Sequence, residues 1–144
     1  MNNWTFEYSV SVAASSEFAW TFWSNVDNWA TIDPAVEWAR IDGDFKTGAL
    51  GETKPVGTPA NAWRLALVDP GRCAVIELLV PGVEVRFSWS FADTPDQTAL
   101  LTQHVEVSGD TAVRYPEQMK LLAEGIPSGM HKLAAAIELS AGEC

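Results

Sequence analysis

The sequence has few cysteines, few positive charges and no long apolar runs. Only two cysteines occur in 144 residues, Cys73 inside an apolar segment and Cys144 at the last position. Neither lies at metal-ligand spacing from another ligand, so no metal site and no disulfide framework are expected. Nine Lys and Arg stand against nineteen Asp and Glu, for a formal charge of −10. That balance repels phosphate backbones and anionic lipid, so nucleic acid is not an expected partner. No apolar run approaches the ~18 residues of a membrane span, so membrane insertion is not expected either. The opening MNNWTFEYSV lacks the positive and apolar regions of a secretory signal, which makes the cytoplasm the expected location. No GxSxG elbow, no HExxH pair and no phosphate-binding glycine loop is present. The glycines between 43 and 57 precede no helix and punctuate hairpins instead. Without repeats or a linker, the chain reads as one domain over residues 1–144, a size that buries roughly two-thirds of its unfolded surface.

Aromatic residues are plentiful. Seven Trp, six Phe and two Tyr are present, and all but Tyr115 precede residue 92. They fall in a clear order of elements. WTFEYSVSV (4–12) alternates strictly, with Trp4, Phe6, Tyr8, Val10 and Val12 on one side, the pattern of a half-buried strand. Ser15 offers an N-cap for a short helix, SSEFAWTFW, with Phe18, Ala19, Phe22 and Trp23 on one face. A second helical turn starts near Asp27 and stops or kinks at Pro34. Strands follow: AVEWARI (35–41), an irregular hairpin over 42–57, AWRLALV (62–68), CAVIELLV (73–80), VEVRFSWSF (83–91) and TALLTQHVEV (98–107). Met119, Leu122, Ile126, Met130, Leu133 and Ile137 then recur at helical intervals within about 112–141. Gly125, Pro127 and Gly129 interrupt that helix, which predicts a kink or a short break there.

These spacings predict an α+β fold. Six or seven antiparallel strands form a curved sheet on a long C-terminal helix, and two short helices follow strand 1. A sheet curled around one helix and closed by small helices leaves a cavity between sheet and helix.

The opening strand with AASSEFAWTFWSNVDNW, the glycine pattern IDGDFKTGALG, the segment WRLALVDPGR and the closing TALLTQHVEVSG together resemble the SRPBCC, or START-like, superfamily. This is the helix-grip superfamily that includes the birch-pollen allergen. Within it the chain looks most like the bacterial polyketide cyclase/dehydrase and lipid-transport group. The resemblance covers essentially the whole chain and implies a helix-grip fold. It does not choose a function, because such proteins bind sterols, lipids, polyketides and hormones, and only some are enzymes.

Strand alternation nominates the lining of the expected cavity. Trp63, Leu65 and Leu67 form the inner set of 62–68, and Phe87 and Trp89 that of 83–91, giving aromatic walls. The same rings could instead fill a solid core. Leu101 and Gln103 share the inner face of 98–107. An inward carboxamide needs a partner, which leaves Gln103 as a ligand contact or an internal staple. Met119, Ile126 and Met130 supply a soft helical wall, and Trp29 and Trp38 border the entrance. Glu77 interrupts an apolar strand. Facing in, it is a buried acid able to move protons; facing out, it leaves Ala74, Ile76, Leu78 and Val80 as the inner face. His104 is expected outward with Thr102 and Glu106, and His131 toward the polar side of the helix with Glu124 and Glu138. Asp27, Asp33, Glu37, Asp42 and Asp44 read as caps and solvated charges.

Three functions fit these features. The first is binding or carriage of a small hydrophobic or aromatic molecule in the cavity, with no cofactor. The second is a polyketide cyclase/aromatase-like enzyme, with Glu77 or Gln103 and a water moving protons. The third is a co-chaperone-like regulator of a protein partner, which polar outer strand faces disfavour. Whether the chain is an enzyme stays open at this level, and a homodimer is compatible with it.

Overall fold

The structure, a computed structural model, describes residues 3–142; Cys144 and the first two residues lie outside that range. Seven strands form one antiparallel sheet: β1 (Trp4–Val12), β2 (Val36–Ile41), β3 (Leu50–Pro55), β4 (Asn61–Asp69), β5 (Cys73–Leu78), β6 (Val85–Asp93) and β7 (Ala99–Val107). Their order is β1-β7-β6-β5-β4-β3-β2. All neighbours after β2 are sequential hairpins, and β1 closes against β7 with Tyr8 opposite Gln103. The helices are α1 (Ser16–Ser24), α2 (Trp29–Ile32), α3 (Gly109–Arg114) and α4 (Pro116–Ala141). A single 3-10 turn over Val26–Asn28 joins α1 to α2. The sheet curls around α4, which is the helix-grip arrangement expected from the sequence.

Each helix starts where local chemistry dictates. The Ser15 hydroxyl accepts from the Phe18 N–H and caps α1. The Ser108 hydroxyl does the same for Thr111 at the start of α3. The buried faces follow the sequence pattern with one addition. Alongside Ala19 and Trp23, α1 buries Trp20, whose ring packs edge-on against Phe45 and Phe91.

The C-terminal segment differs from expectation in one respect. It is broken at Tyr115 (φ −129°, ψ 60°), and α4 then runs uninterrupted through Gly125, Pro127 and Gly129. The reason is local. Tyr115 precedes Pro116, and a residue before proline is pushed out of the helical region, while proline fits the first helical position without loss. Pro127 inside α4 leaves the Ala123 carbonyl without its N–H partner and crowds it with the proline ring, yet the helix continues on both sides.

Two bulges decide which side chains face inward. In β4 the pairing steps from Leu65–Ile76 to Leu67–Val75, so Ala66 is an extra residue. Leu67, assigned to the inner face by alternation, is 47% exposed on the outer one. In β2 the register shifts between Val36 and Trp38. Val36 turns in and Trp38 turns out, where the Arg40 guanidinium stacks 5.5 Å above its ring. Because side chains alternate with period two, one inserted residue reverses every face beyond it.

Candidate functional site

The concave face of the sheet is a set of cross-strand rows. Ala74, Trp89, Gln103 and Tyr8 form one row, and Leu65, Ile76, Phe87, Val105 and Phe6 another. Gly51, Trp63 and Leu78 form a third at the far side. Between these rows and α4 lies a cavity of about 500 Å³, large enough for a drug-sized molecule. The sheet contributes Thr53, Asn61, Trp63, Ile76, Leu78, Phe87, Trp89 and Gln103 to its wall. From α1 and α2 come Trp23, Trp29 and Ile32, from the turn after α2 Asp33, and from the start of β2 Val36. The opposite wall is one stripe of α4, from Leu121 and Leu122 through Gly125, Ile126, Gly129 and Met130 to Leu133. Asn61, Leu121 and Gly125 are exposed, so the cavity communicates with solvent.

The aromatic wall is a connected cluster. Trp23 lies 5.0 Å from Trp89 and 6.1 Å from Trp29, and Trp29 lies 5.4 Å from Trp63, between ring centroids. Hydrogen bonds fix two of these rings. The Trp29 Nε1–H donates to the Trp23 carbonyl at 2.8 Å, and the Trp63 Nε1–H donates to the Thr53 Oγ1 at 2.9 Å. Gly51 makes room for Trp63. A Cβ there would stand 2.3 Å from the indole and 2.7 Å from the Arg40 carbonyl. On the helical wall, a Cβ at Gly125 or Gly129 would meet nothing within 4 Å, so these glycines leave cavity space empty.

Polar groups in the lining are few. Gln103 is 8% exposed. Its carboxamide makes no hydrogen bond to another described side chain or backbone group, yet neither of its polar atoms is sealed from solvent. It therefore opens onto the cavity, not onto an internal staple. Asp33 is the one ionisable side chain among the lining residues; its Oδ1 accepts from the Ala35 N–H at 2.9 Å.

The sequence-nominated residues divide accordingly. Trp63, Phe87, Trp89, Gln103, Ile126, Met130 and Trp29 line the cavity. Leu65, Leu101 and Met119 do not, although all three are buried. Leu65 is fully buried, and its main chain pairs with that of Gly48 and Ala49 before β3. Leu101 sits in register with Val10 and Phe91, at the end of the sheet against which α1 packs. Met119 lies toward the start of α4, short of the cavity. Trp38 is removed from the entrance by the β2 bulge. Alternation missed Trp23, Asp33, Thr53 and the two helical glycines. Trp23 was legible on the inner face of α1, but its depth follows from how α1 meets β6.

Glu77 faces outward and forms no part of the cavity. Its carboxylate bridges two arginines of adjacent strands, with Arg64 at 2.5 Å and Arg86 at 2.6 Å. Hydrogen bonds from Arg86 and Arg64 hold its pKa below the usual carboxylate value. A carboxyl kept ionised outside the cavity is the opposite of a raised-pKa acid within it, so Glu77 is not the acid–base group of this site. A second depression of about 490 Å³ on the convex face contains this ion-paired triad together with Glu84 and Glu106. His104 points outward to Glu7 at 3.4 Å. His131 is exposed, but its Nε2 meets the Tyr8 hydroxyl at 2.7 Å, fastening α4 to the edge strand. Among the described residues no group of three or more His, Cys, Asp or Glu could hold a metal ion.

The family model described as polyketide cyclase / dehydrase and lipid transport matches residues 3–138. The chain belongs to this family. No curated protein sequence matches it. Among solved structures, it resembles the aromatase/cyclase ZhuI from Streptomyces sp. R1128 at 18% identity and a TM-score of 0.76, over 95% of this chain and 94% of that one. A point mutant of norcoclaurine synthase from Thalictrum flavum, bound to a transition-state analogue, aligns at 16% identity and a TM-score of 0.76. That alignment covers 98% of this chain and 97% of that one. The di-domain aromatase/cyclase StfQ of the steffimycin pathway aligns at 17% identity and 0.75, over 99% of this chain and 52% of that one. At such identities the likeness establishes the fold that this polyketide-cyclase-family chain shares with them. No helix of the described residues is long and apolar enough to cross a membrane.

Proposed function

We propose that the protein binds one small, flat molecule with an apolar aromatic body in the cavity between sheet and α4, as a binding or carrier module. The observation that carries this is the Gln103 carboxamide, on a residue only 8% exposed, without a protein partner and open to a space walled by Trp23, Trp63, Phe87 and Trp89. An amide left without a protein partner in an apolar enclosure costs stability of about 1–3 kcal/mol unless water or a ligand satisfies it. A ligand carbonyl or hydroxyl beside a ring system would both fill the aromatic walls and satisfy the amide. Gly125 and Gly129 support the same reading, since each costs the helix about 1 kcal/mol relative to alanine and leaves open space.

The family also contains cyclases, and a cyclase-like activity on a ligand in the same cavity is the second reading. It must run without Glu77, which leaves Asp33 as the one lining acid. Native mass spectrometry of freshly purified protein tests the first reading. A small-molecule adduct that is lost on denaturation, and reduced in Gln103→Leu, is the expected result. An apo mass, together with no calorimetric binding of naphthyl compounds, would sink it.

A further inference from the structure

The charge pattern of the lining carries a further inference, which rests on the cavity-binding reading. Asp33 is the one ionisable group in the lining, and no Lys, Arg or His stands beside it. Lys54, next to the lining residue Thr53 on β3, points to the other face, where it pairs with Glu37 at 2.5 Å. Asp33 has one carboxylate oxygen engaged by the Ala35 N–H, and no ion-pair partner among the described residues. Trp29 and Trp63 spend their indole N–H groups on the Trp23 carbonyl and on Thr53, so the donors left in the lining for an anion, such as the Gln103 carboxamide, are neutral ones. The electron-rich faces of tryptophan attract a cation and repel an anion. The chain as a whole carries −10, so the long-range field acts in the same direction.

We propose that the cavity selects its ligand by charge: it takes an aromatic molecule bearing a protonated amine, with Asp33 as the counter-ion, and rejects an aromatic carboxylate. An ammonium group at Asp33 gains an ion pair and indole faces. A carboxylate there loses its hydration and meets a like charge with no compensating cation, which is how an unpaired group builds specificity against the wrong ligand.

Isothermal titration with naphthylethylamine, naphthylethanol and naphthylacetate at neutral pH separates charge from shape. The amine is expected to bind about tenfold tighter than the alcohol and the carboxylate about tenfold weaker, the scale of a partly exposed ion pair with cation–π support. Asp33→Asn keeps an oxygen for the Ala35 N–H and is expected to collapse the spread to about threefold. If that variant does not fold, the wild-type spread is read against salt, where it narrows as ions screen the pair. A carboxylate that binds as tightly as the amine, or an Asp33→Asn protein that keeps the full spread, overturns the charge selection. No binding of any of the three overturns the cavity reading beneath it.

Discussion

Replacing Gly51 with alanine tests the aromatic wall most directly. Gly51 pairs with Trp63 across β3 and β4, and its backbone does not adopt a positive φ. Alanine is therefore conformationally tolerable there, and the effect is purely steric. The new Cβ would lie 2.3 and 2.4 Å from two indole carbons and 2.7 Å from the Arg40 carbonyl, far inside the 3.5–4.0 Å of ordinary carbon contact. The backbone oxygen cannot move without disturbing the β2–β3 ladder, so the ring must yield. Trp63 is 2% exposed, and its displacement also breaks the bond to Thr53. Overpacking costs about 1–3 kcal/mol and the lost hydrogen bond about 1 kcal/mol. A less flexible unfolded chain returns about 0.4–1 kcal/mol. The net is a destabilisation of about 1–3.5 kcal/mol, or roughly 3–12 °C in Tm for a chain of this size. Urea unfolding followed by far-UV circular dichroism should show a lower midpoint at unchanged slope. The contacted atoms belong to the six-membered ring of the indole, so Trp63→Phe should remove the ring part of the penalty when combined with Gly51→Ala, leaving only the contact with the Arg40 carbonyl. A Gly51→Ala protein within about 0.5 kcal/mol of wild type, or one equally damaged in the Trp63→Phe background, would refute the steric argument.

Other expectations follow from the same geometry. Gly129→Ala should stabilise α4 by about 0.5–1 kcal/mol, whereas Gly129→Leu should fill the cavity and weaken naphthylethanol binding at least tenfold by calorimetry; unchanged affinity would mean the space is not used. For Glu77, the folded pKa lies below the unfolded one, so its contribution is present at neutral pH and is lost as pH falls through the folded value. Stability of Glu77→Gln should accordingly be lower than wild type at pH 7 and converge with it toward acid, while its ligand affinity stays at the wild-type level. A gap that does not narrow as pH falls from the usual carboxylate pKa toward the lower folded value would contradict the ion-pair account.

How much of this was legible in the sequence can be judged element by element. The hydrophobic periods gave the strand and helix types, and alternation put Gln103 on the same face as Leu101 and Val105. What alternation cannot register is an inserted residue. Ala66 and the irregularity after Val36 each reverse parity, sending Leu67 and Trp38 to solvent. Neither inserted residue is a glycine or a proline, and Pro55, opposite Val36, reads from sequence only as the end of a hairpin strand. The break at Tyr115 was announced, by Pro116, but the longer apolar period across it hid the signal. Asp33 reads as a turn carboxylate from sequence, and it serves as one to Ala35. Its place in the cavity wall depends on α2 folding back over the sheet edge, a tertiary relation with no local signature.

The tryptophan cluster also has an optical consequence. Five of the seven tryptophans, Trp20, Trp23, Trp29, Trp63 and Trp89, form a chain in which neighbouring centroids stand 5.0 to 6.1 Å apart. At that separation excitation passes between rings faster than it is emitted, so the five act as one chromophore. A molecule that quenches any single ring in the cavity dims all of them. Trp4 and Trp38 form no such close pair with the five.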